Sequence, residues 1–76
     1  MNQKQLENKI IRLSRNIKKG DSFELLYNGS CIANYEFEDW AFDSKTPLEW
    51  LRGCIVFLVT LQNRDIEKVQ LIYSKK

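Results

Sequence analysis

The sequence predicts one small α+β domain over residues 1–76: a two-layer sandwich with a three-stranded, mostly antiparallel sheet and two helices on one face, in the order α-β-β-α-β. Three observations predict this fold class. Apolar residues recur at helical spacing in the first twenty positions, two alternating segments flank an Asn-Gly pair, and a second helical pattern precedes a last alternating segment.

The first predicted helix is amphipathic. Its apolar residues are spaced by four, three and four positions, which places them on one face, and they are Leu6, Ile10, Leu13 and Ile17. Basic side chains occupy the opposite face. Because Gly20 follows two lysines, which suit the negative end of a helix dipole, we expect the helix to end there.

A hairpin follows, with strands over 22–27 and 31–37 around Asn28-Gly29. A two-residue loop would place apolar and polar side chains together on one face. A three-residue loop, Tyr27-Asn28-Gly29 with Gly29 left-handed, instead gives a wholly apolar face made of Phe23, Leu25, Cys31, Ala33, Tyr35 and Phe37. The sequence therefore favours the three-residue loop.

Thr46-Pro47-Leu48-Glu49 is a capping box that predicts the start of the second helix. Residues 54–61 are rich in β-branched side chains, so a buried strand after Gly53 is the alternative to continuous helix. A narrow polar arc favours the helix, since a strand would be apolar on both faces. The helix is apolar over roughly 200° of its circumference, which indicates contact with the first helix or with a second copy of the chain in a homodimer.

The last predicted strand carries Val69, Leu71 and Tyr73 on one face. The sheet face turned away from the helices is expected to carry Leu26, Ile32 and Ile72, a smaller apolar patch that either contributes to a dimer or consists of scattered exposed residues.

Composition excludes several function classes. The chain has no histidine, its two cysteines are isolated and are expected to be buried thiols, and it has no glycine-rich phosphate loop. We therefore expect no enzymatic activity, no cofactor and no metal. The longest apolar run, residues 54–59, is too short to cross a bilayer, so we expect a soluble cytoplasmic protein that does not bind membranes.

The net charge of +2 conceals a segregation along the chain. Residues 1–20 carry six basic side chains and one acidic one, whereas residues 21–43 carry six acidic side chains and no basic ones. The acidic segment ends in an aromatic connection whose candidate partner-binding residues are Glu36, Glu38, Asp39, Trp40, Phe42 and Asp43. An acidic rim around tryptophan suits a basic protein partner. The alternative is that Trp40 and Phe42 pack under the sheet edge as core.

The basic face of the first helix is a second candidate site. Phosphate-binding candidates at its centre are Lys9, Arg12, Arg15 and Lys19. The alternative is an ordinary solvated helix face, because no helix-turn-helix or other nucleic-acid motif accompanies it. We therefore predict a non-enzymatic interaction or regulatory protein that binds a protein partner, with nucleic-acid binding as the alternative. Small inhibitors carried by phages or plasmids are an analogy based on size alone.

Overall fold

The structure is a computed structural model that describes residues 2–39 and 45–76, and it confirms the α+β class and the order α-β-β-α-β. The main elements are two helices and three strands: α1 (Gln3–Ser14), β1 (Ser22–Tyr27), β2 (Ser30–Glu36), α2 (Pro47–Val56) and β3 (Val69–Ser74). A π-helical turn, Phe57–Leu61, extends α2, and a 3-10 turn, Ile66–Lys68, precedes β3.

The sheet has the order β2-β1-β3 and is antiparallel throughout, so β1 is central and both other strands are edges. Both helices pack against it. The fully buried side chains come from all layers, and the largest are Phe23, Leu6, Ile10, Leu25, Leu51, Leu71 and Val69. Burial of these apolar surfaces is the main force that holds the two layers together.

Helix α1 begins as a capping box, because the Asn2 side chain accepts from the Gln5 N–H and the Gln5 side chain accepts from the Asn2 N–H. The prediction that it continues to Gly20 is wrong, since it ends at Ser14. The Asp21 carboxylate accepts a hydrogen bond from the Lys18 N–H at 3.0 Å and fixes a turn instead. Ile17 is nevertheless buried. Its spacing from Leu13 therefore correctly indicates a core residue, although Ile17 lies outside the helix.

The hairpin loop has two residues, so the predicted three-residue loop is wrong. Tyr27 pairs with Ser30, and Asn28 and Gly29 both have positive φ, 51° and 83°. The predicted pairing is also wrong, because a three-residue loop would place Leu25 opposite Cys31 and Phe23 opposite Ala33, whereas Leu25 pairs with Ala33 and Phe23 with Tyr35. The predicted apolar face is correct for Ala33 and Tyr35, which share it with Phe23 and Leu25. A β-bulge explains how a two-residue loop can give this shared face, because Ile32 is an extra residue between the partners of Leu25 and Leu26.

The bulge also corrects two side-chain placements. Cys31 pairs with Leu26 and is exposed, so the expectation that both thiols are buried is wrong for Cys31, while Cys54 is partly buried. Ile32 packs against the core and not on the outer sheet face with Leu26 and Ile72.

Residues 54–61 are helical, as the polar arc predicted. Thr46 caps α2 by accepting from the Glu49 N–H at 3.2 Å. The helix widens at its end, where the Gln62 N–H donates to the Phe57 carbonyl, and it stops at Asn63, whose φ is 53°. The Arg64 N–H then donates to the Leu58 carbonyl at 2.9 Å, which closes the helix end.

Candidate functional site

The acidic aromatic connection is only partly described. Glu36 is the last residue of β2 and is exposed, and Glu38 and Asp39 are exposed beyond the buried Phe37. Trp40, Phe42 and Asp43 lie outside the described residues. The choice between partner contact and core for Trp40 and Phe42 therefore stays a prediction.

The basic candidates do not form one continuous helical face. Lys9 is partly buried, and its Nζ donates to the Leu71 carbonyl at 2.8 Å, on the edge strand β3. Arg12 and Arg15 are exposed at the end of α1, whereas Lys19 belongs to the turn that follows the helix. Three of the four candidates are thus solvent-facing, and Lys9 has a structural hydrogen bond.

The structure brings the turn after α1 and the residues that follow β3 together at Asp21, which the sequence did not indicate. The Asp21 carboxylate is 5% exposed and accepts from the Tyr73 O–H at 2.6 Å, the Lys76 N–H at 3.0 Å and the Lys18 N–H. The Tyr73 hydrogen bond, followed by those from Lys76 and Lys18, lowers the pKa of Asp21. The same bond raises the pKa of Tyr73 to about 12.

Charges of both signs therefore meet at this end of the sheet. Four exposed lysines belong to the two segments that meet at Asp21, namely Lys18 and Lys19 in the turn after α1 and Lys75 and Lys76 after β3. The Gly20 N–H donates to the Phe37 carbonyl at 2.7 Å, which places the acidic end of β2 beside this turn. The segregation seen along the sequence is thus reduced in the folded chain.

A groove lies between the β2 edge and α2 and has a volume of about 450 Å³. Its floor and walls are mostly apolar, and they include Ile32 and Ala33 from β2 with Trp50, Cys54 and Leu58 from the helix. The bulge is essential to this shape, because the extra residue Ile32 turns toward the helix. A groove of this size is within the usual range for ligand pockets.

Two cations line the groove. The Arg64 guanidinium lies 5.0 Å from the centre of the Tyr27 ring. The Lys45 backbone is held in place, because its carbonyl accepts a hydrogen bond from the Tyr35 O–H at 3.0 Å and the Tyr35 ring packs on Trp50 with centroids 5.5 Å apart. The described residues that line the groove include these two cations and no acid.

The second half of the helix exposes large apolar side chains beside the groove. Leu61 is 70% exposed, Val56 58% and Phe57 50%, and Val59 is also exposed. We call these four residues the α2 outer surface. The sequence indicated it through the apolar width of the helix. It did not indicate the groove, because Ile32 meets α2, and Arg64 meets Tyr27, only through long-range packing.

Cys54 is the one cysteine in the groove. Burial raises the pKa of its thiol, and the nearby Lys45 ammonium lowers it by a smaller amount. The thiol is therefore neutral at pH 7 and contributes apolar surface. Among residues 2–39 and 45–76, no three His, Cys, Asp or Glu side chains are grouped as a metal site.

The chain matches no known family. It likewise shows no significant similarity to a curated protein or to a solved structure, so its function must be inferred from its own surfaces. Within the described part of the chain, no helix has the length and apolar character needed to cross a membrane.

Proposed function

We propose that this chain is a non-enzymatic interaction protein that binds a protein partner through the α2 outer surface. The observation that carries the proposal is the exposure of Val56, Phe57 and Leu61 on a helix that already contributes Leu51, Ile55 and Leu58 to the core. Contiguous exposed apolar surface on a small domain is typical of interaction sites. The absence of histidine from the sequence supports a role without catalysis.

The test compares two surface variants of the full, tagged chain in partner capture. Phe57→Ser with Leu61→Ser should abolish recovery of a partner that the parent chain recovers reproducibly. Ile72→Ser is the matched control, because Ile72 is also apolar and 41% exposed but lies on β3. Circular dichroism verifies that the variants are folded. Retention of every partner by the folded double variant would contradict the proposal.

The acidic aromatic connection remains a second proposed contact for the same function. Its described acids, Glu36, Glu38 and Asp39, are exposed, which supports access by a basic partner. Trp40→Ala with Asp39→Lys should weaken partner capture if this segment contributes. An unchanged partner set would limit the interface to the α2 outer surface.

Nucleic-acid binding is the alternative function, and the convergence of lysines from the turn after α1 and from the residues after β3 favours it. Lys19 lies in the turn that Asp21 joins to Lys76, and Arg12 and Arg15 are exposed at the end of the preceding helix. More cations than α1 alone supplies could therefore contact phosphates. Arg12→Glu with Arg15→Glu should then weaken oligonucleotide binding, and binding should fall steeply with salt. Absence of binding at low salt would eliminate this alternative.

We further propose the cytoplasm as the location, which two unpaired cysteines support. Self-association into a homodimer is proposed as well, because the α2 outer surface is unpaired in the single chain. Sedimentation that shows only monomer at high micromolar concentration would contradict the homodimer.

A further inference from the structure

The groove between β2 and α2 has the layout of a peptide-binding site. Its apolar floor is formed by Ile32, Ala33 and Leu58, with Trp50 as the largest wall. The α2 outer surface continues from its mouth through Phe57, which belongs to both. A bound segment could therefore place apolar side chains in the groove and continue over the exposed helix.

The charges of the groove favour an acidic occupant. Lys45 and Arg64 are the charged residues among its described lining. Tyr27 positions the Arg64 guanidinium, and Tyr35 holds the backbone carbonyl of Lys45. The aromatic contact restrains the Arg64 guanidinium before any partner arrives, which reduces the entropy lost on binding. Carboxylates of a bound segment would pair with both cations.

Gly53 lies in the interior of α2, yet a Cβ at this position would meet open space. Glycine costs a helix interior about 1 kcal/mol relative to alanine, and no contact with the described residues requires it. Because Gly53 also lines the groove, its missing side chain leaves room for a partner backbone to approach the helix.

We propose that the groove binds an acidic peptide segment of a protein partner. In this arrangement, large apolar side chains of the segment occupy the floor, its carboxylates pair with Lys45 and Arg64, and its backbone passes over Gly53. The inference rests on the proposed function and adds the chemistry of the partner to it.

The test is selection of a displayed random 16-residue peptide library on the full chain. Enriched peptides should be net negative and contain at least two large apolar residues. Their affinity should fall at least tenfold in Lys45→Glu and in Arg64→Gln, and should weaken with added salt for the parent chain. Lys68→Glu is the matched control, because this exposed lysine does not line the groove.

Two further readouts locate the binding. Bound peptide should slow alkylation of Cys54, which lines the groove, and leave alkylation of the exposed Cys31 unchanged. Gly53→Ala should weaken peptide binding while it raises the free energy of unfolding, so the two effects have opposite signs and cannot arise from misfolding.

The possible failures separate the two proposals. Enrichment of neutral or basic peptides, no enrichment at all, or salt-independent binding would overturn the acidic-segment inference. If Phe57→Ser with Leu61→Ser still abolished partner capture, the proposed function would stand without the acidic-segment inference. Selection of peptides that match a segment of this chain would identify a second copy as the source of the acidic segment.

Discussion

At the scale of single residues, Asp21 connects more of the chain than any position that the sequence singled out. Its carboxylate accepts hydrogen bonds from Lys18, Tyr73 and Lys76, which belong to the turn after α1, to β3 and to the tail. An aspartate after Gly20 has no distinctive pattern in the sequence. Tyr73 and Lys76 are 52 and 55 positions away from Asp21, so only the fold shows that Asp21 joins these segments.

The Asp21–Tyr73 pair predicts losses of stability at both extremes of pH. The pKa of Asp21 is lowered in the folded chain, so its contribution is present above the unfolded pKa near 4 and is lost as pH falls through the folded value. The pKa of Tyr73 is raised to about 12, so its contribution is present below the unfolded value near 10 and is lost between about pH 10 and 12.

Urea unfolding across the pH range tests both limbs. Tyr73→Phe should remove the Tyr73 contribution to the loss of stability at alkaline pH and should reduce the loss of stability at acid pH. Asp21→Asn should reduce both losses. Tyr27→Phe, which does not touch Asp21, should retain both limbs. An alkaline limb of unchanged size in Tyr73→Phe would show that other groups cause it.

Two glycines should respond to alanine with opposite signs. Gly20 has φ 94°, and an added Cβ would overlap the Lys76 side chain, so Gly20→Ala should lower the free energy of unfolding by about 1–2 kcal/mol. Gly53→Ala should raise it by about 1 kcal/mol, because Gly53 is helical and its Cβ would face open space. Chemical denaturation measures the free energy of unfolding of both variants. A change of the same sign in the two variants would contradict the prediction.

At the scale of elements, the hairpin shows which features a sequence can determine. Alternation of apolar side chains correctly predicted that Phe23 and Leu25 share a face with Ala33 and Tyr35, because a slip by one residue would turn every side chain to the other face. It did not predict the pairs themselves, which are shifted by two residues along β2. The loop length was inferred from the same alternation and was wrong. A bulge at Ile32 changes the alternation by one residue, and nothing in the local sequence marks it.

The helices show the same limit at their ends. The capping box at Thr46 correctly gave the start of α2, since the groups involved are close in sequence. The end of α1 was placed too late, because Ile17 is buried from a turn that Asp21 stabilises. A local capping signal thus predicted where α2 starts. The end of α1 depends on the turn at Asp21, whose carboxylate is itself held by the distant Tyr73 and Lys76.

Deleting Ile32 should leave the hairpin intact, because Ile32 is the extra residue of the bulge. The deletion variant should retain the pairs Phe23–Tyr35 and Leu25–Ala33, and its free energy of unfolding should change by about 1 kcal/mol through lost packing of a partly buried side chain. It should also lose peptide binding, because Ile32 lines the groove.

Deleting Asn34 is the matched control. Asn34 pairs with Glu24 in the regular part of the ladder, so its loss should shift the register and destabilise the fold strongly. Cross-strand nuclear Overhauser effects report the register in both variants. A shifted register after deletion of Ile32 would show that the bulge itself determines the pairing.

At the scale of the whole molecule, surfaces arise that no segment contains alone. The sequence indicated an apolar excess on the second helix, and the α2 outer surface agrees with it. The groove depends on the bulge at Ile32 and on the position of Arg64 over Tyr27. Arg64 is 32 positions from Ile32 and 37 positions from Tyr27 in the chain. Candidate surfaces of one element can therefore be predicted from sequence, whereas sites between elements require the fold.

The free edge of β3 should govern whether whole molecules associate through their sheets. Lys9 Nζ donates to the outward Leu71 carbonyl, and such a charged side chain protects an edge strand from pairing with another chain. Lys9→Met retains most of the apolar stem but removes the ammonium group, so the carbonyl becomes available to a second molecule. Lys9→Met should therefore associate at lower concentrations than the parent chain in sedimentation velocity.

Lys4→Met provides the matched control, because Lys4 is exposed on the same helix and should leave association unchanged. Adding Phe57→Ser and Leu61→Ser distinguishes the edge from the α2 outer surface. Association through β3 should persist in that background, since the two substitutions lie at the opposite edge of the sheet, beside the groove that β2 and the helix form. If Lys9→Met sedimented like the parent chain, the hydrogen bond to Leu71 would contribute to the fold alone and the β3 edge would be protected by other means.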